Sequence, residues 1–123
     1  MYVSLKKSDR INKKFSITFQ HVSKIVHFGG KGYSDYTKHK NPLRMRSYLK
    51  RHGGLISKKN EKLTNPTEVH EKMMDVNKSE KEDWTITGIY TAGFWSRWLL
   101  WSHPELEYAK KIITDKFGII FSN

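Results

Sequence analysis

Seven cations crowd one short stretch of this chain. Lys31, Lys38 and Lys40 are followed by Arg44, Arg46, Lys50 and Arg51, with Tyr33, Tyr36 and Tyr48 interleaved. Cations at this density neutralise phosphates or carboxylates, the arginines through paired N–H donors. Interleaved tyrosines offer ring faces on which bases stack. The same cations also suit an acidic protein surface, and their spread over two flanks of a helix is equally the pattern of an ordinary solvated face. Residues 1–59 hold 15 Lys and Arg against two acids, Asp9 and Asp35, whereas residues 60–123 hold eight against ten. The formal net charge of +11 therefore sits almost entirely in the first half, which is fitted to meet a negatively charged partner.

Other chemistries find less support. The six histidines form no i, i+4 pair of the metalloprotease kind, and His70-Glu71 lacks the second histidine. Glu80, Glu82 and Asp83 lie together in a Lys-rich connector and read as a solvated charge run, not an acid/base pair. Asp35 stands nearly alone among cations and is expected to pair with Lys31 or an arginine, or to cap a helix. Gly29-Gly30-Lys31-Gly32 lacks the Gly-x-x-x-x-Gly-Lys-Ser/Thr spacing of a phosphate loop. Its amides can still hold a phosphate, but a hairpin exit turn explains it. Cysteine is absent, which excludes disulfides, thiolate zinc sites and cysteine nucleophiles and fits a reducing compartment. No catalytic residue, metal or cofactor is expected, and the chain reads as a non-enzyme. No apolar run approaches the roughly 20 residues that span a bilayer, and no signal peptide is expected.

The second half looks built to pack. Three of the four tryptophans fall within seven residues of Thr91-Ala92-Gly93-Phe94-Trp95-Ser96-Arg97-Trp98-Leu99-Leu100-Trp101. Each such ring buries about 150–250 Å² when packed. On a helix from Ala92 to Trp101, capped by Thr91, the residues Phe94, Trp98 and Trp101 share one face and Trp95 and Leu99 lie beside it. Phe94, Trp95, Arg97, Trp98 and Trp101 therefore form a core, or an anchor for a partner protein, since Trp and Arg dominate interface hot spots. A helix that is apolar nearly all round must be covered nearly all round, and one small domain is hard pressed to do so.

These groups need a scaffold. A chain of 123 residues is about one domain with one modest core. Residues 1–14 are basic and irregular, at most a short strand or an ordered arm. Phe15, Ile17 and Phe19 alternate with polar residues as in a half-buried strand, and Ile25, Val26 and Phe28 continue a hairpin. Asn41-Pro42 starts a helix whose inner face is Met45, Tyr48, Leu49 and His52, and Gly53-Gly54 ends it. Residues 54–64 read as a loop. Asn65-Pro66-Thr67-Glu68 starts a short helix with Val69, Met73 and Val76 on one face. Ser102-His103-Pro104-Glu105 reads as the cap of a last helix that turns Leu106, Ala109, Ile112, Ile113 and Phe117 inward. Ile119-Ile120-Phe121 can add a short strand. The expectation is a single α+β domain, a small antiparallel hairpin-based sheet with about four helices.

Three segments carry a resemblance. Phe28 to Lys40 (Phe-Gly-Gly-Lys-Gly-Tyr-Ser-Asp-Tyr-Thr-Lys-His-Lys), Arg46 to His52 (Arg-Ser-Tyr-Leu-Lys-Arg-His) and Thr91 to Trp101 resemble a group of small basic proteins of large nucleocytoplasmic DNA viruses. The similarity covers roughly residues 14–52 and 84–118. It implies a viral origin and a setting in the virion, or in the viral factory of the host cytoplasm, and it brings no catalytic residue. Against the family pattern, residues 53–83 look like an expanded polar insertion with one short helix. The expected function is a minor capsid or virion-associated protein that binds acidic surfaces of larger shell proteins. A nucleic-acid-binding accessory protein using Lys31, Arg44, Arg46, Lys50 and Arg51 is the alternative.

Overall fold

Alternation of apolar and polar residues builds the sheet first. In the computed structural model, which describes all 123 residues, strands β1 (Tyr2–Lys7), β2 (Lys13–Phe19) and β3 (Ile25–Gly30) form an antiparallel meander. The register sets Val3 opposite Phe19, Leu5 opposite Ile17 and Ile17 opposite Val26, so one face is apolar. A two-residue strand β4 (Ile120–Phe121) lies parallel to β1, giving the order β3-β2-β1-β4. The sheet is thus mixed, not purely antiparallel. The first residues form a short strand, one of the two expectations for them, and β1 is an inner strand of the sheet. Its inward pair Val3 and Leu5 is too short a pattern to stand out before Lys6 and Lys7. The last residues pin β1 further, with Ser122 N donating to Val3 O (2.8 Å) and Asn123 Nδ2 to Leu5 O (2.6 Å).

Helices cover the apolar face. They are α1 (Tyr36–His39), α2 (Pro42–Arg51), α3 (Lys58–Glu61), α4 (Pro66–Met73), α5 (Ala92–Trp95) and α6 (Leu106–Phe117). The asparagine caps form as their spacing requires: Asn41 Oδ1 accepts from Leu43 N (3.0 Å) and Asn65 Oδ1 from Glu68 N (3.1 Å). Helix α3 replaces the expected loop, with Ser57 Oγ accepting from Asn60 N. Ser102 does not cap α6. It is buried and donates to Trp98 O (2.6 Å), and α6 starts after Glu105 without a side-chain cap.

The tryptophan segment is the centre of the domain. Helix α5 widens into a π-helical stretch, Ser96–Leu100, instead of continuing as one α-helix. Phe94, Trp95, Arg97, Trp98 and Leu99 are fully buried and Trp101 nearly so. Six consecutive buried residues, Arg97 to Ser102, require cover on every side. The sheet and α6 supply part of it. Residues 53–83 and the Trp84 that follows them supply the rest: Val69 and Met73 from this segment, and Trp84, are fully buried in the same core.

Three indole N–H groups are satisfied inside: Trp84 donates to Glu82 Oε1 (2.8 Å), Trp95 to Ile89 O (2.7 Å) and Trp98 to Trp84 O (2.9 Å). Arg97 is buried without a carboxylate. Its guanidinium donates to Val76 O, Met73 O (2.8 Å) and Trp101 O (2.6 Å), and lies 4.3 Å from the Trp98 ring centroid. Burial lowers its pKa to about 9, so it stays charged at neutral pH. Carbonyls at the end of α4 and after the π-helical stretch carry the negative ends of peptide dipoles, which compensate that charge.

Candidate anion-binding face

Two adjoining depressions open beside the hairpin. The first, a cleft of about 440 Å³, is walled by the Lys13 end of β2, the Gly29-Gly30 end of β3, the Arg44–His52 side of α2, and Ala92, Gly93 and Ser96 of the α5 region. Leu100 and Trp101 also line it. The second, about 550 Å³, is lined by Lys7, Lys13, Lys31, Lys38 and Lys40 with Glu105. Lys13, Lys14 and Asp35 line both, so the two adjoin across a shared wall and together make a basic trough.

Local sequence explains the placement. Met45 and Leu49 turn inward from α2, which leaves Arg44 and Arg51, seven residues apart, on a flank facing the cleft. Tyr48 stacks between them on Trp101, with centroids 4.1 Å apart and planes 4° from parallel, and His52 stacks on Tyr48. Burial, then the charge of Glu82, raises the Tyr48 phenol well above its usual pKa, so its hydroxyl keeps its proton. Gly29 has φ +79°, and an added Cβ there would meet Leu100 Cδ1 at 2.9 Å. Only glycine suits both conditions. At Gly30 an added Cβ would strike the Tyr33 ring at 2.9 Å. Tyr33 therefore lies against the strand end with 78% of its surface exposed.

The acids of the cleft are engaged. Asp35 is 2% exposed, takes a 2.6 Å ion pair from Lys14, and caps α1 by accepting from Thr37 N (2.9 Å). Its partner is Lys14 and not Lys31 or an arginine, because β2 passes directly beside the α1 start. Glu82 is also more than part of a solvated run. It accepts from His52 Nδ1 (2.8 Å) through Oε2 and from the Trp84 indole through Oε1. A carboxylate–imidazole pair can serve general base chemistry, yet no hydroxyl is hydrogen-bonded to the His52 ring. No group of three or more His, Asp or Glu side chains is placed to hold a metal ion.

The seven cations singled out by their spacing divide. Arg44 and Arg51 reach the cleft with no carboxylate partner, and Lys31 and Lys38 are exposed in the second depression. Lys40 is there too, but bonds Glu105 at 2.7 Å. Arg46 turns away: its Nη1 donates to Asn60 O (2.8 Å) and Leu63 O (2.7 Å), tying α2 to the α3 turn. Lys50 pairs with Glu61 at 3.2 Å. Neither contributes to the trough. Lys7, Lys13 and Lys14 do, although nothing in the spacing of β1 and β2 distinguished them from solvated lysines. Of the other expected anchor residues, Phe94, Trp95, Arg97 and Trp98 lie fully buried in the core, while Trp101 packs there with one edge lining the cleft.

Behind α1 lies a histidine cluster. His39 Nδ1 accepts from Asn41 N (3.0 Å), His70 Nδ1 bonds Tyr36 OH (2.7 Å), and His103 Nδ1 accepts from Glu105 N (3.0 Å). The His70 and His103 rings are 5.6 Å apart. Burial is the main cause lowering all three pKa values, with repulsion from Arg44 at His39 and from His103 at His70 adding to it.

A family of unknown function (DUF5754) matches residues 3–52. That stretch runs from β1 to the end of α2 and carries every cation of the trough. No curated protein and no solved structure matches the chain.

Proposed function

We propose that this chain is a non-enzymatic structural protein of a large DNA virus particle, a minor capsid or virion-associated component. Its basic trough sets against acidic surfaces of larger shell proteins. One observation carries this reading: Lys7, Lys13, Lys31, Lys38, Arg44 and Arg51 converge on one face without a carboxylate partner among the six ion pairs of the fold. Uncompensated like charge costs self-repulsion and gains it back only against an anionic partner. The viral setting rests on the sequence resemblance, and assembly would take place in the viral factory of the host cytoplasm. No helix is long and apolar enough to cross a membrane.

Quantitative mass spectrometry of purified particles tests the reading. The protein is expected in fixed ratio to the major shell protein, and its absence from particles would end the proposal. The exposed ring of Tyr33 at the rim of the trough favours a second reading, a nucleic-acid-binding accessory protein in which cations hold phosphates and Tyr33 stacks a base. In that case log K falls against log salt with a slope of about −0.9 per duplex phosphate contacted.

A further inference from the structure

The cleft beside α2 has parts that a flat docking face does not need. Its volume of about 440 Å³ falls in the range of small-molecule sites, about 300–1,000 Å³. Arg44 and Arg51 stand seven residues apart on one helix, about 10 Å along its axis. That separation lets two long side chains close on one phosphate from both sides. Neither has a carboxylate to hold it elsewhere, and the lining acids Asp35 and Glu82 are occupied by Lys14, His52 and Trp84. At the rim the Tyr33 ring is backed by Gly30 on one side and open on the other. Guanidinium pairs bind phosphate bidentately, and an exposed aromatic ring beside cations is a stacking platform for a base.

We propose that this cleft binds a nucleoside phosphate, the phosphate between Arg44 and Arg51 and the base on Tyr33. The inference rests on the nucleic-acid reading of the basic face and names the chemistry of its deepest part. The ligand is a free nucleotide or the phosphorylated end of a single strand. In the second case the strand continues past Lys13 into the depression holding Lys31 and Lys38, which shares Lys13, Lys14 and Asp35 with the cleft.

Calorimetric titration of the full chain with AMP, adenosine and inorganic phosphate tests the proposal. AMP should bind at least about tenfold more tightly than either fragment, because only it combines the charged contact with stacking. Arg44→Gln, Arg51→Gln and Tyr33→Ala should each weaken AMP about tenfold. All three side chains are exposed, so melting temperatures should match the parent protein. AMP binding no tighter than phosphate, or unchanged in the three variants, overturns the site. A 5′-phosphorylated oligoadenylate distinguishes the two sources. Tighter binding than AMP, lost selectively in Lys13→Gln/Lys38→Gln protein, identifies a strand end, whereas equal binding identifies a free nucleotide. Retention of long DNA with a salt slope that depends on Lys13 and Lys38, together with no AMP binding, overturns the nucleotide site alone and leaves the nucleic-acid reading in place.

Discussion

Arg97 and the pair Arg44 and Arg51 are the same residue type in opposite surroundings. Arg97 lies at the centre of the tryptophan-rich region, fully buried, with backbone carbonyls as its partners. Arg44 and Arg51 stand on the basic face in no ion pair, the two acids of the cleft being taken by Lys14 and His52. A cation that has lost its water must find acceptors inside the fold or the fold pays heavily in desolvation; a cation that keeps its water is free for a partner. Charge at a sequence position therefore says little about role. What the fold places within hydrogen-bond distance decides it.

The largest break in this contrast should come from Arg97→Met. Removing the guanidinium leaves the Val76 and Trp101 carbonyls without a donor, while Met73 O keeps Val76 N, and the expected loss is about 2–6 kcal/mol, since each orphaned buried group costs about 1–3 kcal/mol. Urea denaturation followed by tryptophan fluorescence measures it, and a loss below 1 kcal/mol would remove Arg97 from its structural role. Arg46→Ala sharpens the contrast from the other direction. Arg46 is two residues from Arg44, yet its two bonds to the α3 turn predict a stability loss of about 1–3 kcal/mol and no change in anion binding. If DNA or acidic-peptide affinity falls instead, the division between Arg44 and Arg46 is wrong.

Acid should act on the histidine cluster next. The folded-state pKa values of His39, His70 and His103 lie below the ordinary 6.5. The unfolded chain therefore takes up protons first as pH falls through that value, and stability drops from there downward. Above it, both states are neutral at these sites and the contribution is complete. The groups around the cluster are Asp35 and Arg44 at His39, Glu71 at His70, and Glu105 and Lys40 at His103. Melting temperature should decline between pH 7 and 5, and a His39→Gln/His70→Gln/His103→Gln protein should show a flatter decline over that window. An equal decline in both proteins would exclude the cluster as its source.

The smallest stability effect belongs to the basic face. Arg44→Ala and Arg51→Ala should change stability by no more than about 0.5 kcal/mol. If the trough holds a phosphate backbone, each should also flatten the salt slope of DNA binding by about 0.9. An unflattened slope would take both arginines out of the nucleic-acid reading.

Much of the architecture was legible in the sequence, because it is written in local signals. The Phe15-Ile17-Phe19 alternation, the Asn41-Pro42 and Asn65-Pro66 starts and the Gly53 stop each act within a few residues, and each produced its element. What was hidden is long-range. Val3 and Leu5 are the only inward residues of β1 and Lys6-Lys7 follow at once, so β1 looked irregular until β2 and β4 flanked it. Trp84 follows a highly charged connector, and only its contact with Trp98 and Arg97 reveals that this connector covers the core. The site was half legible. Density of cations marked α2, but which flank each arginine occupies depends on where α3 and the hairpin lie. Arg46 and Lys50 are taken up by α3 and Glu61, while Lys13 and Lys14 enter from a strand whose register no local pattern gives.

The central claim is that the face built by the hairpin, α1 and α2 contacts the partner while the tryptophan region holds the domain together. Zero-length carboxylate–amine cross-linking of intact particles, read by mass spectrometry, tests it directly. Cross-links are expected from Lys7, Lys13, Lys31 and Lys38 to carboxylates of a larger shell protein. Cross-links confined to Lys72, Lys78, Lys111 and Lys116, with the trough lysines unmodified in the same particles, would contradict it.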